Sequence, residues 1–217
     1  MAFSPNSPRD FKQAFANTFT DHEVDNFLSQ PDSSPSFVYG VLMLPTILKY
    51  HVDIDQKVRI QKSMTKATLY GYQLCQYAEE GLPVIVQSDN HQHKVEGILV
   101  FGLNREQRNA IHELESGLQK LTSVQVQICQ RRVSDNKHSM RMIDAGAFEW
   151  NPVRSTLAGK HCGLKLTDRS MWDVEPFLQS PLCRQMVQSQ DRRSREAAMT
   201  EDAEWYLSRS GNRTKET

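Results

Sequence analysis

The sequence predicts an α+β fold. Short apolar runs alternate with polar residues at period two, one well-capped helix lies between two of them, and no regular strand–helix–strand alternation runs through the chain. The 217 residues suffice for one domain of ordinary size with extensions. Lys+Arg and Asp+Glu both total 26, so the net charge is +0. That balance argues against nucleic-acid or anionic-membrane binding, which needs a basic surplus. Hydrophobic residues make up 38% and mean hydropathy is -0.59, so part of the chain is expected to stay outside the core.

Residues 1–35 are rich in Ser, Pro, Asn and Asp and read as an N-terminal extension, partly disordered or one surface helix. Phe11, Phe15, Phe19 and Phe27 can line one face of such a helix near residues 9–29. Residues 36–190 read as the folded domain. Its first β-type run, residues 36–39, ends at Gly40, and Pro45 opens a short helix to His51. Tyr70, Tyr72 and Leu74 stand at period two within residues 69–74. A strand at residues 83–86 starts on Pro83, and residues 94–103 are strongly apolar.

The capped helix comes next. Asn104 is a good N-cap with Gln107 three residues on, Ala110, Ile111 and Leu114 supply the apolar face, and Gly117 is placed to end it. Val124, Val126 and Ile128 alternate with Gln125 and Gln127 in the clearest half-buried strand, and residues 143–150 predict another. Asp173 heads a short helix with Phe177 and Leu178; Ser180-Pro181 opens one with Leu182, Met186 and Val187 facing inward. Residues 191–217 read as a polar, mostly disordered tail carrying the aromatic island Trp205-Tyr206-Leu207.

Common catalytic signatures are missing: no GxGxxG, Walker loop, GxSxG or HExxH occurs. Cys75, Cys129, Cys162 and Cys183 are widely spaced and read as reduced thiols, not a disulfide framework or zinc site. No export signal or membrane span is read, so the expected location is the cytoplasm. His91 and His93 sit in a polar stretch, residues 88–94, that reads as a hairpin turn and not as a metal site.

Two features carry possible chemistry. In Tyr39-Gly40-Val41-Leu42-Met43 a strand breaks at once into a tight turn. Backbone N–H groups exposed there can hold a carboxylate or an oxyanion, and the plainer alternative is a strand end with a core tyrosine. Glu115 ends the capped helix against the negative pole of its dipole. With burial, that placement raises the pKa toward a general base; the alternative is an exposed helix glutamate.

Together and in this order, the features resemble the γ-glutamylcyclotransferase-like superfamily, in its avirulence-induced-gene (AIG2-like) branch. The family pattern Tyr-Gly-Thr-Leu-Met is similar to Tyr39-Gly40-Val41-Leu42-Met43, and Ala67-Thr68-Leu69-Tyr70-Gly71-Tyr72 to the Ala-x-Leu-x-Gly-Tyr segment. Leu82-Pro83-Val84-Ile85-Val86, Val95-Glu96-Gly97, Gly102-Leu103, the helix end through Glu115 and Trp172-Asp173-Val174-Glu175 continue the match over about residues 36–187. The resemblance implies a small mixed β-barrel with flanking helices and one cavity. It further implies that Tyr39, Gly40, Val41 and Leu42 hold a γ-glutamyl group, that Glu115 is the general acid/base, and that no metal or organic cofactor takes part. The implied reaction is an acyl transfer releasing 5-oxoproline and an amine or amino acid. The chain departs from the pattern at Val41 (usually Thr or Ser), Ser116 (Gly), Gln119 (Tyr) and Leu121 (Arg). The other functions compatible with this reading are a non-catalytic binding relative, or different small-metabolite chemistry in the same cavity.

Overall fold

The computed structural model describes residues 7–31, 33–55, 57–77, 83–115, 117–153 and 164–189. The predicted polar tail, its Trp205-Tyr206-Leu207 island, and Cys162 lie outside the described residues. The strands are β1 (Ser36–Val38), β2 (Met64–Tyr70), β3 (Tyr72–Tyr77), β4 (Pro83–Gln87), β5 (Lys94–Val100), β6 (Gln119–Arg131), β7 (His138–Trp150) and β8 (Leu164–Leu166). Five of them close a mixed barrel in the order β1-β5-β2-β6-β7, and β4-β3-β8 form a second sheet. β6 and β7 pair along their whole length, from Gln119↔Trp150 to Arg131↔His138. Alternation along these strands buries Val126, Ile128 and Ile143 in a core shared with Phe37, Leu69 and Ile98.

The run at residues 69–74 is two strands. Gly71 takes φ +75 between β2 and β3 and turns the chain from the barrel into the second sheet. β5 and β4 follow β2 and β3 as antiparallel partners on either side of that corner. The loop at residues 88–93 is therefore not a hairpin turn but an excursion opposite Gly71. Gly71 N–H donates to the His93 carbonyl (2.8 Å), and Ser88 N–H donates to the Gly71 carbonyl (2.8 Å). The His93 ring is engaged locally, with Nδ1 2.8 Å from Ser88 Oγ and Nε2 3.3 Å from Asn90 Nδ2.

The N-terminal extension differs from the single helix its phenylalanines suggest. It forms α1 (Arg9–Ala16) and α2 (Asp21–Leu28), parted at Asn17, whose backbone is extended. Thr20 and Glu23 close a capping box that starts α2 afresh. Asn17 is tied to the barrel: its Nδ2 donates to the Met64 carbonyl (2.9 Å), and Thr65 Oγ1 donates to the Asn17 carbonyl (2.7 Å). Phe11, Ala14 and Val24 are fully buried, and Phe19 and Phe27 pack on Phe101. These helices thus belong to the core.

α3 (Pro45–His51) and α4 (Arg105–Glu115) lie where the sequence puts them. At α4, Asn104 N–H donates to Gln107 Oε1 (3.0 Å) and Gln107 N–H to Asn104 Oδ1 (2.9 Å), the reciprocal box read from the spacing. Glu175–Leu178 forms a single helical turn, with Asp173 Oδ1 accepting from Glu175 N–H (3.1 Å). In the helical residues 181–189, Cys183 and Met186 face the core, while Leu182 and Val187 are exposed against expectation.

Gly97 permits the tightest backbone approach in the barrel. A Cβ there would lie 2.5 Å from the Val38 carbonyl oxygen and 2.7 Å from the Phe37 ring. Gly97→Ala is expected to lose about 2–4 kcal/mol, because β1 must shift. Gly117→Ala, with nothing within 4 Å of its Cβ, should change stability by less than ~0.5 kcal/mol. Urea denaturation of both variants checks this; equal midpoints would refute the tight approach of β1 and β5.

Candidate active site

A cavity of about 390 Å³ opens between the exit of β1 and one face of α4. Its apolar wall is Phe37, Val38, Leu42, Ile111, Leu121 and Phe148. Its polar lining combines Ser34, Ser36 and Tyr39, around β1, with Arg105, Arg108, Asn109, His112 and Glu115, which follow one another along one face of α4. Arg105, Asn109 and His112 are exposed, whereas Arg108 and Glu115 are half-buried. The His112 ring leans on Phe148, centroids 5.8 Å apart.

Of the residues singled out in the sequence, Tyr39, Leu42 and Glu115 line this one cavity. Gly40 and Val41 do not. Gly40 has φ +65 and no room for a side chain, since a Cβ would meet Pro83 Cγ at 2.5 Å. Val41 packs against the core as part of the 3-10 turn Gly40–Met43. Glycine at position 40 thus shapes the turn by its backbone conformation and by its contact with β4.

The sequence marks Gln119, the first residue of β6, only as a departure from the family pattern; the structure gives it a place in the site. It is 8% exposed. Its Nε2 donates to Glu115 Oε2. Its Oε1 accepts from the Tyr39 hydroxyl (2.5 Å), which also has the Phe148 carbonyl oxygen at 2.7 Å. A chain of hydrogen bonds therefore runs from the strand end to the helix end. Its sequence signal was the four-residue separation from Glu115, which links a helix terminus to the next strand.

The electrostatics follow from burial. Removal from water pushes the Glu115 carboxyl up to about 7 from its ordinary 4.5, and the bond from Gln119, which favours the charged form, only partly opposes this. Burial, and secondarily the Glu115 charge, holds the Tyr39 phenol well above its ordinary value, so it remains a donor. A carboxyl poised near neutrality can accept a proton and return it. Among the described residues no cluster of three or more His, Cys, Asp or Glu side chains is arranged to hold a metal.

A family model described as gamma-glutamyl cyclotransferase, AIG2-like, matches residues 36–173. Among solved structures, one Arabidopsis thaliana protein is 18% identical, with 69% of this chain and 83% of that chain covered and a TM-score of 0.43. A second A. thaliana structure is 19% identical, covering 84% and 89%, with a TM-score of 0.42. An aig2-like protein from Mus musculus is 15% identical, covering 69% and 91%, with a TM-score of 0.36. No curated protein matches.

The raised carboxyl makes stability depend on pH. Between pH 4.5 and about 7 the folded protein retains a proton that the unfolded chain releases. Glu115 therefore becomes destabilising as pH rises through that window. Glu115→Gln removes the titration and is expected to stabilise the fold at pH 8 by about 1–3 kcal/mol, with the gain vanishing near pH 4.5. Thermal melts at both pH values check it; a difference independent of pH would show that Glu115 ionises normally.

Proposed function

The chain belongs to the γ-glutamyl cyclotransferase, AIG2-like family, and from that premise we propose that it cyclises a γ-glutamyl amine or peptide to 5-oxoproline with release of the amine or amino acid. The observation that carries this reading is Glu115: half-buried, raised to about 7, and on the wall of the cavity that also takes in Tyr39 and Leu42.

In the proposed mechanism the substrate's α-ammonium gives a proton to the Glu115 carboxylate. The freed amine attacks the γ-carbonyl, forming the lactam C–N bond, and the electron pair of the carbonyl moves onto oxygen. In this reading Tyr39 and Leu42, the turn residues that line the cavity, hold the glutamyl end, while Gly40 and Val41 act by shaping the turn. Collapse breaks the bond to the departing nitrogen, which takes the proton from Glu115. Across the cycle two protons leave the attacking nitrogen and two reach the departing one, so one carboxyl titrating near neutrality suits both transfers. Ring closure is intramolecular, so most of the acceleration asked of the protein is orientation. Gln119 and Tyr39 hold the carboxyl in place.

Release of 5-oxoproline should be measured over γ-glutamyl amines, γ-glutamyl dipeptides and glutathione. Glu115→Gln is expected to keep the fold and lose at least ~100-fold in kcat. Near-normal turnover would remove Glu115 from the mechanism. No product from any substrate, with binding intact, would favour a non-catalytic binding role. Gln119→Leu removes a bond to the ionised form, so the acidic limb of kcat/KM should move to higher pH. A limb that stays where it was would show that Gln119 does not touch the working carboxyl.

A further inference from the structure

We propose that Arg105 and Arg108 form an anion subsite for the departing half of the substrate, so that the preferred leaving group is an amino acid or peptide bearing a free carboxylate, not a simple amine. The inference rests on the cyclotransferase reading and deepens it.

Both arginines line the cavity from the same α4 face as Glu115. Along the helix Arg108 and Arg105 stand about 10 and 15 Å from Glu115, at a rise of about 1.5 Å per residue. The departing half is assigned to that direction because the proposed function gives the glutamyl end to the turn at Tyr39 and Leu42. Glu115 is the only carboxylate among the lining residues, and its hydrogen bond goes to Gln119. Among the described residues neither guanidinium has an ion-pair partner.

Arg108 is the more telling of the two. It is half-buried, and one nitrogen is anchored by donation to the Leu103 carbonyl (2.5 Å). A guanidinium has five N–H donors in a rigid fork, so anchoring one leaves the others to offer the cavity. A partly desolvated cation with no ion-pair partner among the described residues gains from a bound carboxylate through charge-assisted bonds. Arg105, exposed and lining the same cavity, adds a second positive charge. A neutral alkylamine leaving group would meet two cations and gain nothing from them.

The test pairs γ-glutamyl-alanine with γ-glutamyl-alaninamide, which differ in the charge of the departing half. For the parent protein, kcat/KM should favour the acid by about 10–100-fold, the range of one to two charge-assisted bonds. In Arg108→Met, and more fully with Arg105→Met added, that ratio should fall toward one; Arg108→Lys should restore part of it. Equal use of both probes by the parent protein overturns the subsite. An equal loss on both probes in the arginine variants overturns it too, because it would place the arginines at the glutamyl end. Equilibrium binding of the same pair to Glu115→Gln protein separates this inference from the reaction. Tighter binding of the acid, dependent on Arg108, supports the subsite even if no 5-oxoproline forms, whereas absence of product from every probe defeats only the cyclotransferase reading.

Discussion

A three-residue strand closes the barrel. β1 pairs antiparallel with β5 at Ser36–Val38 and touches β7 through the single parallel pair Ser36↔Gly146. So short a strand closes the sheet only if its neighbours let it come near, and Gly97 does so by offering β1 no Cβ to clash with. The consequence reaches the site directly. The chain leaves β1 at Val38, passes Tyr39 and enters the 3-10 turn, with the cavity on one side and Pro83 of β4 on the other. Barrel closure and placement of Tyr39 are therefore one structural event.

Gln119 lets that arrangement tolerate a carboxyl near its titration point. An amide presents a donor and an acceptor on one plane. With Glu115 ionised, Nε2 donates to it and Oε1 accepts from Tyr39, as found. With Glu115 protonated, a half-turn of the amide lets Oε1 accept from the carboxylic acid and Nε2 donate to the Tyr39 oxygen. The Tyr39 proton then rests on the Phe148 carbonyl, already 2.7 Å away. Both charge states can thus be satisfied without moving the backbone. A leucine would satisfy neither.

The strength of local signals decided what could be read in the sequence. α3 follows from Pro45, and α4 from the Asn104–Gln107 box, because caps act within one turn of chain. The α+β class and a small barrel were legible in the same way, the barrel through the ordered family motifs. Glu115 and Tyr39 share one cavity, as motif order suggested, but Gly40 and Val41 face elsewhere. The break between α1 and α2 was hidden because four phenylalanines keep a helical spacing across it, while Asn17 is held extended by bonds to β2, a long-range partner. The loop at residues 88–93 misled for a related reason. Its polar residues look like any turn, and its partner is Gly71, on a different strand pair. Gln119 stood out only as a departure from the family pattern, because its bond to Tyr39 joins residues eighty positions apart.

The cavity is walled by two kinds of structure with different stiffness. The strand side is cross-braced by barrel hydrogen bonds and buried rings. The helix side buries only Ile111 fully, so little apolar burial holds α4 down. What fixes it are polar ties at its ends: the Asn104–Gln107 box and the Arg108–Leu103 bond at the start, and the Glu115–Gln119 bond at the finish. Arg108 and Glu115, proposed for anion recognition and for chemistry, thus each also carry one of these end ties.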